Sequence, residues 1–332
     1  MKRYSALSHV AVHEPSRRQS GEEIESDFCA QNPGVQLRPG TLEKMYGFSE
    51  RRVAPAGAGP SDLAAAAGTR VLADAELSPD EIDLLIFAAV FGEVQEPATA
   101  HIVADKLGIT APVFDVMNAC NGVLNAMELA DALIRAGQYT RVLIVTGECG
   151  SALSRLPVRD RAELARLLPV LTVGDIGAAL IMEASDRPGL LGSHFTANSA
   201  GWHSAVITNP YMPPHLGTMS VRFAPTALAA SFAGMEKAVP DALRTMGRKM
   251  GDIDLFCVHQ PSVAFTSTIC RALDIPPDKV IATFSRYGNA TTASLPLQLA
   301  KAVEHGRLRR GDLVALFGLA SGASAGLVLM EW

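Results

Sequence analysis

The chain has 332 residues, 48% of them hydrophobic, and 29 Lys and Arg against 34 Asp and Glu give it a net charge of −5. With no block of basic residues, that balance argues against a nucleic-acid partner held through its phosphates. No apolar run is long enough to span a membrane, while the length and apolar content suffice for one large core or two fused ones. The start, MKRYSALSHVAVHEPSRRQ, is briefly basic and then only brokenly apolar, so no secretory signal is read there. Cysteines at 29, 120, 149, 257 and 270 lack the spacing of a metal site or a disulfide framework. A reduced, cytoplasmic enzyme without a bound metal is the simplest class.

In chain order, the first strongly apolar run is DLLIFAAV (83–90), a strand. The loop FGEVQEP carries Glu96 away from it, and HIVADKLGI (101–109) reads as a helix. A strand over 113–119 leads to Cys120, Asn121 and Gly122. Beyond them Val123, Leu124, Met127, Ala130, Leu133 and Ile134 recur at helical spacing. RVLIVTGECGS (141–151) and GAALIME (177–183) are further strands, and the glycine turn VGDIGAAL (173–180) has a structural part. A stretch rich in Pro, His and Ser, within 185–235, reads as a cover over a pocket.

The series then repeats. DLFCVHQ (254–260) answers DLLIFAAV, STICRALDI (267–275) answers HIVADKLGI, and DKVIATFSRYGN (278–289) answers APVFDVMNACNG (111–122). DLVALFGLASG (312–322) and AGLVLME (325–331) complete the second set. Five elements in the same order signify an internal duplication, with halves at 1–184 and 185–332. Strands alternating with helices predict mainly parallel sheets covered on both faces, hence a five-layered α/β/α/β/α body.

In such sheets ligands bind outside the carboxyl ends of the strands. That rim collects Cys120, His259 at the end of strand 254–258, and Asn289 after a strand over 280–284. Glu96 lies near it. A free cysteine is ordinarily a small buried hydrophobe, but at a helix N-terminus the unpaired N–H groups favour a thiolate nucleophile. A histidine ending an apolar strand is either satisfied by a carbonyl or serves as acid, base or oxyanion donor. Asn289 is either a turn amide or a donor that joins His259 on an enolate oxygen. The Gly-rich FGLASGASAG (317–326) runs strand to strand, unlike a phosphate loop. An N–H near Ser321 could instead join that of Cys120 around a thioester carbonyl oxygen. Arg286 and Tyr287 read as structural.

These residues lie in D-V-x-N-A-C-x-G (115–122), H-Q (259–260) and G-N-x-x-x-A-S-x-P (288–296), with G-R-L-x-x-G-D-L-V at 306–314. From about residue 5 to the C-terminus the chain resembles the thiolase superfamily, within it the ketoacyl synthase III condensing enzymes. The resemblance implies the thiolase-like five-layered fold, a homodimer, no tightly bound cofactor, and acyl-CoA or acyl-carrier-protein thioesters as substrates. Acyl transfer to Cys120 would precede carbon–carbon bond formation beside His259 and Asn289.

Departures refine this. After HQ the family continues A-N-x-R, a segment that helps receive carrier protein; here it reads P-S-V-A. The tryptophan and arginine that help hold coenzyme A are absent from TLEKMYGFSERR (41–52), which keeps Arg51. Where initiating synthases place a bulky apolar residue, QEPATAH has Glu96, similar to the olefin-pathway and pyrone-forming subgroup. There a glutamate enters the other subunit's active site. Alone, Glu96 before Pro97 could equally be an acid in a helix's first turn. Joining two ordinary acyl thioesters requires a base to remove a proton next to a carbonyl, whereas decarboxylation of a malonyl thioester does not. The subgroup likeness therefore implies non-decarboxylative Claisen condensation to a β-keto product or pyrone. Malonyl-dependent synthesis, and acyl transfer to an alcohol or amine, are the alternatives.

Overall fold

The run Leu84–Ala88 has no polar position, as a strand covered on both faces requires, and every residue in it is buried. In the computed structural model, which describes residues 3–332, it is the fourth of five strands. Their order is Tyr4–His13, Asp175–Ser185, Arg141–Cys149, Leu84–Ala88 and Val113–Val116. Asp175–Ser185 runs antiparallel to both its neighbours, and Leu84–Ala88 is parallel to both of its own. A second sheet is ordered Leu190–Ala197, Ser324–Glu331, Leu313–Ala320 and Leu255–Val258, with two antiparallel pairings followed by a parallel one. The two sheets thus share one strand plan.

Side chains alternate as the pleat demands. Leu84 and Ile86 face inward onto Val123, Leu124 and Met127 of the helix Gly122–Arg135. Leu85 and Phe87 face outward onto Val71 and Val103 of the helices Pro60–Asp74 and Thr99–Leu107. Leu255 and Leu316 of the second sheet join the same inner core, together with Leu295 and Leu299 of the helix Ser294–Glu304. Its outer face packs on Val239 and Leu243 of Ala238–Thr245 and on Phe265 and Ile269 of Val263–Ala272. Two helices between two sheets, with helices outside each, make the five layers anticipated from the repeat.

The strand expected over 280–284 is not there. Val280 makes a single parallel bridge to Phe256, and Phe284–Tyr287 is a helical turn. Gln260 is the cause: its Oε1 accepts from the backbone N–H groups of Thr283 and Phe284, at 2.9 and 3.2 Å, removing them from any ladder. Its Nε2 donates to the Ile281 carbonyl at 2.8 Å, fixing the bend. The strand leading to Cys120 is also shorter than expected, ending at Val116. Within 185–235, residues Leu190–Ala197 belong to the second sheet. Outside it, the hairpin Ala205–Ile207 with Val221–Phe223 carries an arm on which Tyr211, Met212 and Leu216 are exposed. No helix among the described residues is long and apolar enough to cross a membrane.

The helix Pro60–Asp74 approaches the first sheet so closely that a Cβ on Gly177 would sit 2.0 Å from the Leu63 carbonyl oxygen. Backbone, not a flexible side chain, blocks that space. Gly177→Ala should therefore lower stability by ~3 kcal/mol or more, at the upper end of overpacking costs. A urea denaturation midpoint equal to that of the parent chain would refute this.

Candidate active site

Cys120 lies in a tight elbow between strand and helix. Asn121 N–H donates to the Asn118 carbonyl at 3.0 Å and Gly122 N–H to that of Ala119 at 3.1 Å. Ala119 takes φ of +46°, a strained value for a residue with a Cβ, and the helix begins directly after at Gly122. Two anchors hold the elbow. The Thr292 hydroxyl donates to the Ala119 carbonyl at 3.1 Å, and the buried Asn121 amide donates to Ser324 Oγ at 2.9 Å and to its carbonyl at 3.2 Å. Gly318 leaves room for that amide, since a Cβ there would come within 2.1 Å of Asn121 Oδ1. The second anchor ties the residue next to Cys120 to Ser324, which opens the strand Ser324–Glu331 directly after the turn 321–323 that holds Ser321.

His259 ends the strand Leu255–Val258, where its own N–H bonds the Phe317 carbonyl at 2.9 Å. It is buried, and burial alone lowers its pKa to about 4, so the imidazole is neutral. Asn289 is held by its backbone: its N–H donates to the Thr172 carbonyl, and its carbonyl accepts from Gly174 N–H. Gly288 before it has φ of +68°, and a Cβ there would lie 2.0 Å from the Thr172 oxygen. The Asn289 Oδ1 accepts from Thr291 N–H at 2.9 Å, which leaves the NH₂ to donate elsewhere. The turn that carries Asn289 also carries Thr292, so it is bonded directly to the Cys120 elbow.

Sequence reasoning missed Glu148, next to last in the strand Arg141–Cys149. Its carboxylate is buried, and one oxygen accepts from Val90 N–H at 3.0 Å and Thr292 N–H at 3.4 Å. Burial raises its pKa to about 7. Burial first, and this carboxylate second, push the Cys120 thiol up to about 12. The expectation that the helix start would favour thiolate is therefore overturned for the resting protomer. Desolvation and a like charge outweigh the terminal N–H groups, and the resting group is a thiol. A signal for Glu148 was available: an acid near the carboxyl end of an apolar strand obeys the same rim rule as His259.

Glu96 is exposed on the loop before Thr99–Leu107 and has no hydrogen bond or ion pair among the described residues. It is not in a helical first turn, because the helix starts at Thr99. Asp115 of the edge strand caps that helix, accepting from Thr99 and Ala100 N–H groups, both at 2.8 Å. Arg51 is buried, with its guanidinium donating to Gln19, Ser154 and the carbonyls of Leu171 and Val173. It thereby braces the segment on which Asn289 rests. In P-S-V-A, Ser262 caps the helix Val263–Ala272 by accepting from Phe265 N–H at 3.1 Å.

Two family models match the chain. One describes 3-oxoacyl-[acyl-carrier-protein] synthase III, over residues 114–199, and the other the C-terminal part of the same enzyme, over residues 243–332. The β-ketoacyl-[acyl-carrier-protein] synthase III of Neisseria gonorrhoeae is 29% identical, with 99% of each chain covered. Xanthomonas campestris OleA with bound lauric acid and lauroyl-CoA, a cysteine replaced by serine, superposes with a TM-score of 0.89. It is 26% identical over all of both chains. An OleA variant with alanine for a glutamate gives 0.88 at 25% identity, covering 100% of this chain and 99% of that one. A variant with alanine for a histidine gives 0.89 at 26%, covering 99% and 98%.

Two buried groups of the site, His259 and Glu148, oppose each other in stability. His259 lies below its ordinary 6.5, so its contribution is whole above that value and lost as pH falls through about 4. Glu148 lies above its ordinary 4.5, so its contribution is whole below that value and lost as pH rises through about 7. Each shift is worth on the order of 3 kcal/mol. A His259→Asn chain should gain stability on going from about pH 8 to about pH 5, and a Glu148→Gln chain should lose it. Urea midpoints that move in the same direction for both variants would contradict the assignment.

Proposed function

The chain belongs to the ketoacyl synthase III-like condensing enzymes of the thiolase superfamily, and from this premise we propose that it joins two acyl thioesters by non-decarboxylative Claisen condensation. Cys120 attacks the first thioester, supplied on coenzyme A or a carrier protein. A new sulfur–carbon bond forms, the old one breaks, and the thiol proton leaves with the carrier sulfur. Backbone N–H groups of Cys120 and Ser321 hold the tetrahedral oxyanion. Glu96 of the partner subunit then removes a proton from the carbon beside the second thioester's carbonyl. His259 and the Asn289 amide donate to the enolate oxygen. The enolate carbon attacks the acyl group on Cys120, a carbon–carbon bond forms, and the sulfur departs to recover the proton. The product is a β-keto thioester, open to hydrolysis or to cyclisation as a pyrone.

The observation that carries this reading is the state of Glu96. The protomer spends nothing on holding it, yet its loop leads into a helix capped by Asp115 of the edge strand Val113–Val116. That strand pairs on one side only among the described residues, Met117 directly after it is 57% exposed, and Val94, on the loop of Glu96, is 43% exposed. An open edge with apolar neighbours suits a second copy of the chain. The replaced residues in the OleA structures, a glutamate, a cysteine and a histidine, support reading Glu96, Cys120 and His259 as a working set. The likeness to synthase III favours a second reading, decarboxylative condensation with a malonyl thioester.

Incubation with an acyl-CoA should leave an acyl adduct on Cys120, detected by peptide mass, and Cys120→Ala should abolish it. Products formed from two acyl-CoAs without malonyl-CoA separate the two condensations, and a strict need for malonyl-CoA would overturn the first reading.

Glu96→Gln should acylate normally but condense more slowly by a factor on the order of 10² to 10⁴. A dimer mixed from Cys120→Ala and Glu96→Gln chains should recover one working site. A verified mixed dimer without activity would show that Glu96 does not act across the interface.

A further inference from the structure

Glu148 has no part in the chemistry above, yet three segments of the site converge on it. Its Oε1 holds Val90, at the root of the loop that carries Glu96. The same oxygen holds Thr292, in the turn that carries Asn289. Thr292 in turn holds the carbonyl of Ala119, the residue before Cys120. No cation is paired with the carboxylate among the described residues, although it is 2% exposed. Ionised without a counter-charge, a buried carboxylate is costly for stability, as the rise of its pKa to about 7 records, where a neutral amide would make the same two bonds. That cost points to a use for the charge.

We propose that Glu148 is a positioning residue for Cys120, registering the elbow, the Asn289 turn and the loop to Glu96 around one oxygen, and that its carboxylate, once ionised, acts on the thiol. The assignment rests on Cys120 being the nucleophile and not on which condensation follows. The charge works through the sulfur: when ionised it adds to burial in opposing thiolate, so the nucleophile stays protonated and is shielded from adventitious electrophiles. The ionisable groups acting on this cluster are few. Glu148 acts on both Cys120 and Cys149, while Asp175, Glu93 and Asp62 also act on Cys149. His259 responds to burial alone.

Glu148→Gln separates charge from seating, because the amide oxygen can still accept from Val90 and Thr292. Iodoacetamide labelling of Cys120, assigned by peptide mass and followed against pH, should shift to lower pH. At about pH 9, where the parent carboxylate is ionised, the rate should rise about tenfold, equivalent to one unit in the thiol pKa, with an unchanged circular dichroism spectrum. Glu148→Ala removes the acceptor and should slow both acylation and condensation by at least about tenfold, the worth of ~1.4 kcal/mol of misplacement. A purely structural role would not move the alkylation profile of the glutamine variant. A profile identical to the parent's, or an alanine variant that condenses at the parent rate, overturns the proposal. If the alanine chain does not fold, the glutamine profile decides alone. A strict need for malonyl-CoA leaves this result standing and overturns only the choice of condensation. Absence of any alkylation or acyl adduct on Cys120 in the parent overturns both.

Discussion

A single side-chain hydrogen bond, from the Thr292 hydroxyl to the Ala119 carbonyl, joins the starts of the two helices that run through the middle of the molecule. Each of these helices is packed against both sheets, so neither can shift along its axis without opening the shared core. Fixing their N-terminal ends to one another therefore fixes everything attached there. The cysteine elbow precedes one helix, the Asn289 turn precedes the other, and His259 is bonded to a strand of the same core. Packing of the two helices thus sets the places of Cys120 and Asn289, whereas Glu96 stands on an exposed loop.

Much of this was legible before any coordinates. Leu84–Ala88 reads as a strand buried on both faces, and the spacing of Val123, Leu124, Met127 and Ala130 reads as a helix with one apolar side. Those patterns depend on local periodicity, which the chain displays openly. The segment 280–284 misled for the opposite reason. Val280, Ile281 and Thr283 suit a strand, but a distant glutamine takes the N–H groups that a ladder would need. The thiol's protonation was misjudged in the same way. Sequence places Cys120 beside a helix start, while the burial and the Glu148 charge that dominate it arise only from tertiary contact.

Arg51 illustrates a further gap between motif and contact. The resemblance implies coenzyme A contacts for the stretch 41–52, from which Arg51 is what remains. Its guanidinium is instead spent within the protein, on Gln19, Ser154 and two carbonyls adjoining Asn289. It contributes order to the site, and the charge stays inside the fold. With a neutral imidazole and a protonated thiol, the site offers a developing oxyanion no cation, and an ionised Glu148 would oppose it, so its stabilisation falls to oriented donors. Oriented N–H donors in dry surroundings stabilise such an oxyanion without having to rearrange.

The two sheets share a strand plan but differ at corresponding margins. In the first, Val113–Val116 leaves one side of its backbone without a partner among the described residues. In the second, Leu255–Val258 is closed by the bridge to Val280 and by Gln298, whose amide donates to the Val258 carbonyl and accepts its N–H. A duplicated protein that kept both margins open would present two equivalent docking edges, and copies could then add end to end without limit. Sealing one of them breaks that equivalence. Association through the remaining edge about a twofold axis would consume it on both partners and end growth, so a chain that paired in this way would stop at two copies.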